Sequence, residues 1–415
     1  MNILEKARLV LEQPICDHCL GRQFGQLLSG YTNAERGRSL RAMVAMSIDK
    51  DKLENEDKKI DLSNLSDTKF HHLSAEKPEP KSCSLCHGAF AKLDKMAAKA
   101  VDKLKGIEFR TFVLGTRLSA DLLDAEEALW ERAGIDWAEP LKAELNREVG
   151  KRIERLLHEK QLRAEFEPKN PQVVLLADLS KNKVDVTING LFIYGEYQKL
   201  KRGIPQTKWP SGKYKTSVEQ IMAKPFMTAA QARAHALHGS GREDIDARCL
   251  GWRPFVLELL EPKRRLFDAK TLLKLSKKIG KEVKVRNLRL SNIDEVRTLK
   301  AARYDKTYSA LVKCAQTMTR NELKRLDVLV GEIRQRTPQR VLHRRADRVR
   351  KRYVKMLTAK LVDNHTFRLL VTGEAGLYIK ELISGDSGRT QPSVSGVLVK
   401  DCVCKELDVT KIHVK

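Results

Sequence analysis

Several stretches of the chain carry side chains able to do chemistry. Residues 239–251, GSGREDIDARCLG, hold Asp244 and Asp246 among glycines and arginines. A carboxylate on such a turn can act as nucleophile or base if a nearby cation keeps it ionised in a partly dry site. Taken alone, an Arg-Glu-Asp turn is usually a surface cluster of ion pairs. Gly239-Ser240-Gly241 lacks the further glycine, lysine and hydroxyl of a phosphate-cradling P-loop. Cys16-Asp-His-Cys19 and Cys83-Ser-Leu-Cys86 are two C-x-x-C knuckles. Each brings two thiolates within reach of one ion, so together they predict a closed, structural zinc site without an open coordination position. His18 and His87 adjoin these ligands. The plain alternative is two unrelated reduced pairs; a redox pair fits less well because no thioredoxin-like strand-to-helix context surrounds either.

Two basic stretches could hold RNA. Residues 199–215, KLKRGIPQTKWPSGKYK, carry six Lys/Arg and no acid, with Trp209 and Tyr214 interleaved. Lys201, Arg202 and Lys208 can meet phosphates there while the aromatics stack on bases, although a solvated interdomain linker would look similar. Residues 334–355 carry ten Lys/Arg against one Asp. Thr337-Pro338 disfavours a continuous helix, so Arg340, His343, Arg344 and Arg345 are expected on a loop able to clamp a phosphate backbone. From Arg348 onward a solvated helix face is an equal alternative.

The elements that must position these groups follow from periodicity. Helices are expected over 2–12 and 34–47, the second opened by a capping box at Thr32-Asn33-Ala34-Glu35, with 49–69 as a charged, solvated arm. A strand is expected over 108–118, helices over 120–134 and 140–160, and strands at QVVLLADL and KVDVTINGLFIYGEY. Thr228 to His238 reads as a helix stopped at Gly239, followed by a strand at RPFVLELL. This puts Asp244 and Asp246 on a loop, where functional residues are common. The main boundary is expected between about 205 and 225.

At 415 residues, two or three compact units are expected. With 79 Lys+Arg against 54 Asp+Glu, the net charge of +25 favours a polyanionic partner, nucleic acid ahead of a membrane surface. No apolar run is long enough to span a membrane, and no signal-peptide core is evident, so a cytoplasmic protein is expected. Apart from the knuckles the cysteines are scattered, which argues against a disulfide frame.

Three motifs in order give the turn a context. Gly241-Arg-Glu-Asp244 resembles the Gly-Arg-x-Asp signature of pseudouridine synthases, Lys306-Thr-Tyr308 their Lys-x-Tyr motif, and Gly376-Leu-Tyr378-Ile-Lys380 their Gly-x-Tyr-Ile-Arg/Lys motif. With LFIYGEYQKLKRGIPQTKW, GREDIDARCLGWRPFVLELLEP, QRTPQRVLHRRADRVR and YIKELISGDSGRTQPS, the chain is similar over essentially its whole length to the archaeal and eukaryotic tRNA pseudouridine synthases of the T loop, in their archaeal form. Leu377 and Ser384 depart from residues common there.

The resemblance implies an α/β (α+β) protein. Residues 1–210 would be a zinc-binding, THUMP-like RNA-binding accessory domain, and 211–415 a catalytic domain on a mixed, largely antiparallel sheet. It implies a monomeric isomerase without organic cofactor that converts uridine to pseudouridine at tRNA positions 54 and 55 and holds the T arm. Asp244 would be nucleophile or base and Lys380 its cation. Tyr308 would stack on the flipped base, and Tyr378 would lie by the reacting ring. Arg242 would meet RNA or pair with Glu243 or Asp246, and Asp246 would support the site. A noncatalytic tRNA-binding protein and a THUMP-bearing methyltransferase or thiolase are the competing readings; no glycine-rich nucleotide fingerprint supports the latter.

Overall fold

The computed structural model describes residues 1–53, 60–72 and 79–414, which divide into units Met1–Asn189 and Gly190–Lys415. In the first unit, strands β1 (Thr111–Arg117), β2 (Glu165–Phe166), β3 (Val173–Asp178) and β4 (Lys183–Ile188) form a sheet in the order β2-β1-β3-β4. The first two pairings are parallel and β3 with β4 is antiparallel. Alternation along β1 buries Phe112 and Leu114. Helix Leu141–Glu159 buries Leu141, Leu145, Val149, Ile153 and Leu157, a stripe at helical spacing. These side chains share one core with Cys19, Cys83 and Cys86.

The capping box at Thr32 and Glu35 forms, but the helix it opens, Asn33–Leu53, runs beyond 47 into the expected arm. Residues 54–59 of that arm lie outside the described residues. Its later part is packed rather than solvated: Leu65 is buried, and the Asn64 amide donates to the Leu11 and Gln13 carbonyls.

In the second unit the strands are β5 (Leu191–Lys199), β6 (Ala234–Gly239), β7 (Arg248–Leu260), β8 (Val283–Ser291), β9 (Asp305–Cys314), β10 (Gly331–Arg336), β11 (Val349–Asp363), β12 (Thr366–Gly373), β13 (Thr390–Gln391) and β14 (Cys402–His413). They form one sheet in the order β13-β10-β11-β12-β9-β14-β7-β5-β8, with β6 also on β7. Only β14 with β7 is parallel, so the sheet is mixed and largely antiparallel. Helix Val218–Ala230 packs Met222, Ala223 and Phe226 with Ile193 and Leu257, while Leu382, Ile383 and Leu398 pack with Val312, Phe367 and Val371.

Four expectations are corrected. The compact division falls at Asn189/Gly190 rather than near 210, because β5 hydrogen-bonds between β7 and β8 and so belongs to the second unit. The helix expected from Thr228 to His238 starts earlier and stops at Ala230, with Gln231 left-handed at φ 48°. Residues 234–239 are instead a strand on β7, where ladder bonds override the local helical pattern. From Val349 onward the basic segment is strand rather than helix, paired on both edges by β10 and β12. Cys314 and Cys402, opposite each other on β9 and β14, are disulfide-bonded. Among the described residues, no helix is long and apolar enough to cross a membrane.

Candidate active site and metal centre

The turn between β6 and β7 carries Gly241 to Ala247. Its first bend needs Gly241, whose φ is +79° and whose absent Cβ would lie 3.3 Å from Arg253 Nη1. The Asp244 side chain emerges into a cleft of about 770 Å³ that Tyr308, Tyr378, Lys380 and Arg340 also line. Register explains the convergence. Tyr308 lies on β9, opposite Val409 of β14 and Val371 of β12. Tyr378 caps the short helix Ile379–Ser384, and the Gln335 side chain fixes its backbone by accepting from Tyr378 N and donating to Tyr378 O, both at 2.9 Å.

Two cations flank Asp244. Lys380 Nζ lies 3.4 Å from Asp244 Oδ2 but closer, 2.6 Å, to Asp246 Oδ2. Arg340 reaches both Asp244 oxygens at 3.3 Å and donates from Nε to the buried Glu381 at 2.7 Å. Burial works against the charge of Arg340 and of Lys380, yet their carboxylate partners outweigh it and raise both pKa values. Burial would raise the pKa of Asp246, but Lys380 holds it below the usual carboxylate range. Tyr308 is pushed up to about 12, mainly by burial, so its hydroxyl stays protonated at neutral pH. Lys306, also buried, is lowered to about 8 by desolvation and by nearby Arg253.

Of the residues expected to hold RNA, Arg242 is exposed at the cleft, and it is Arg253, not Arg242, that pairs with Glu243, at 3.1 Å. Lys201, Lys208 and His343 are exposed. The Arg344 side chain lies outside the described residues. Arg345 donates to the Tyr378 hydroxyl at 2.7 Å. Two others have partners within the protein. Arg340 sits on Asp244 and Glu381, and Arg202 on the Asp246 and Leu407 carbonyls and Asp408. Trp209 and Tyr214 meet edge to face.

Beneath the turn lies a buried charged layer that sequence reasoning passed over: Tyr197, Lys199, Glu243 and Arg253. One signal was available. Lys199 shares the inward parity of β5 with Leu191, Ile193 and Tyr197, where a lysine is out of place unless it is bonded.

In the first unit the ligand atoms of Cys16, Cys19, Cys83 and Cys86 all lie within 4.8 Å of one another, and the Cys16 and Cys86 sulfurs are 3.7 Å apart. Tetrahedral Zn–S bonds of about 2.3 Å place sulfurs about 3.8 Å apart, so the donor set and its spacing fit the ion. His18 is directed elsewhere, its Nδ1 2.9 Å from Glu144 and its ring stacked on Phe90.

Known proteins are similar to this chain along nearly its whole length. Residues 192–413 match the family described as Pus10, C-terminal, and residues 96–178 the archaeal Pus10 THUMP domain. The chain is 39% identical to the tRNA pseudouridine synthase Pus10 of Methanothrix thermoacetophila, over 98% of this chain and 93% of that one. It is 40% identical to the protein of that name from Methanopyrus kandleri, over 95% and 94%, and 40% to that from Methanocaldococcus jannaschii, over 98% and 93%. With both family regions matched and near-complete coverage of such relatives, the chain belongs to the Pus10 family of THUMP-bearing tRNA pseudouridine synthases.

Proposed function

We propose that this isomerase acts on uridines 54 and 55 in the T loop of tRNA, with Asp244 as the initiating carboxylate and a zinc ion held by Cys16, Cys19, Cys83 and Cys86. The observation that carries the reading is the convergence of Asp244, two cations and two tyrosines in one cleft. Isomerisation breaks the bond from ribose C1′ to uracil N1 and makes one from C1′ to C5; the C5 proton leaves and N1 takes up a proton, so the composition is unchanged. Whether the carboxylate attacks the sugar or the ring, or removes a sugar proton, it acts as the anion, and Lys380 and Arg340 stand beside it as counter-charges.

A base stacked in the T loop must first be flipped out, at a cost of a few kcal/mol. The Tyr308 ring offers a face that offsets part of this cost. Tyr378, its hydroxyl bonded to Arg345, is the group we assign to assist removal of the C5 proton. Zinc would cross-link the two knuckles and take no part in the chemistry, since four thiolates complete its coordination. The cationic rim of the cleft, Arg242, Arg345, Arg350 and Arg352 among it, suits phosphates.

The test is site-resolved pseudouridine mapping on T-arm transcripts incubated with wild type, Asp244→Asn and Asp246→Asn. Product at positions 54 and 55 is expected from wild type, none from Asp244→Asn with tRNA binding retained, and partial activity from Asp246→Asn. An active Asp244→Asn beside a dead Asp246→Asn would exchange the two roles, and wild-type product elsewhere than the T loop would sink the site assignment.

A further inference from the structure

Along the catalytic turn the carbonyls of Ser240, Gly241, Asp244, Ile245 and Asp246 accept from charged or amide side chains. Arg253 Nη1 donates to Ser240 O at 2.7 Å and the Gln206 amide to Gly241 O at 3.0 Å. Arg202 Nη1 donates to Asp246 O at 3.0 Å. Between them, Lys199 Nζ donates to Asp244 O at 3.1 Å and Ile245 O at 3.0 Å, and its third proton goes to Ile204 O at 2.8 Å. Lys199 is 0% exposed. Among the described residues it makes no ion pair.

A lysine buried without a carboxylate partner is costly. Here one ammonium group offsets that cost by donating to three carbonyls. Asp244 O also accepts from Ala247 N at 3.1 Å and Ile245 O from Gly203 N at 2.9 Å, so a neutral aliphatic side chain at 199 would spare the charge and still leave both carbonyls a main-chain donor; what the lysine adds is a side-chain tether from β5 to the turn. Two of the three acceptors belong to Asp244 itself and its neighbour.

We infer that Lys199 is a positioning residue for the isomerisation: by bonding the main chain of Asp244 and Ile245 from beneath, it fixes the direction in which the Asp244 carboxylate enters the cleft. The inference rests on the reading of Asp244 as the initiating carboxylate. Lys199 touches neither substrate nor reacting atoms. Its location on β5, paired to both β7 and β8, makes the sheet the rigid reference against which the turn is held.

The test uses the full chain and steady-state kinetics on a T-arm tRNA transcript. In Lys199→Met, kcat is expected to fall on the order of 10²-fold, as for a misplacement of about 1 Å at a reacting group, with KM for tRNA within about twofold. Lys199→Gln, which keeps two N–H donors, should fall between Met and wild type. Rates are taken per folded molecule, with folding checked by thermal melting above the assay temperature. A Lys199→Met kcat within about threefold of wild type overturns the inference, as does a raised KM with unchanged kcat. Failure of both variants to fold overturns it as well, by assigning the residue to the fold. Asp244→Asn is measured alongside. If it remains active, the underlying reading has failed; if it is inactive while Lys199→Met stays fast, the failure belongs to Lys199.

Discussion

Asp244 does not own either of its cations. Lys380 is shared with Asp246 and Arg340 with Glu381, so the carboxylate is charge-balanced without being locked in a tight pair. Asp244, Tyr308 and Tyr378 were legible in the sequence because each sits in a short motif. Lys199 and Arg253 sit in no such motif: the parity of β5 marks Lys199 as inward, but what the two side chains meet depends on which strands flank β5 and β7, and no local pattern encodes that. Lys306 allows a test of the cleft's electrostatics. Its pKa is about 8 in the folded chain against an ordinary 10.5, so between these values the unfolded chain binds more protons and folding stability rises with pH. Below about pH 8 both states are protonated and the cost of burying the charge is present in full. Lys306→Met should therefore gain stability over wild type near pH 7, on the order of 3 kcal/mol, and the gap should narrow as pH rises from 8 towards 10. Denaturation midpoints across that range decide it; parallel curves for the two proteins would show that Lys306 keeps its ordinary pKa.

Between β10 and β11 the basic segment is folded down onto the site, not free in solvent. Thr337 Oγ1 donates to the Ala346 carbonyl, Gln339 N donates to Asp386, and Arg389 donates to Asp347 and the Thr337 carbonyl. Thr337-Pro338 announced the loop, but nothing local announced its contacts, which come from residues far along the chain. The same limit explains the missed strand at 234–239: its alanines suit a helix, and only the free edge of β7 makes it a strand. The arginines of the segment should separate by role. Arg340→Gln removes one of the two counter-charges on Asp244 and should lower kcat about tenfold while leaving the salt dependence of tRNA binding unchanged. Arg345→Met, at an exposed position on the rim, should reduce the slope of log affinity against log salt by roughly 0.7–0.9 if that guanidinium meets a phosphate. Identical slopes for wild type and Arg345→Met would exclude the contact.

At the scale of the molecule, composition pointed to a polyanion and the spacing of the knuckles to a metal, and the fold brings the four cysteines of the knuckles together. The boundary did not survive, since β5 is a strand of the second unit although the basic segment follows it. The four-cysteine cluster joins Cys16 and Cys19 to Cys83 and Cys86 across a long intervening segment, so loss of the zinc proposed there should be costly. One zinc per chain is expected in protein purified without added metal. Cys16→Ser and Cys83→Ser should lower that content, and stripping the ion with a mercurial and chelator should lower the melting temperature of the first unit; zinc content indifferent to both substitutions would rule out the four-cysteine site. The second unit carries a different dependence. In its sheet, β14 alone bridges β9 to β7, so Tyr308 and Asp244 belong to half-sheets that the last strand unites. During synthesis, a nascent chain that has not yet presented residues 402–413 exposes two unpaired strand edges and has no assembled cleft. The facing edges of β7 and β9 are therefore the places where, before β14 is made, wrong pairing can start.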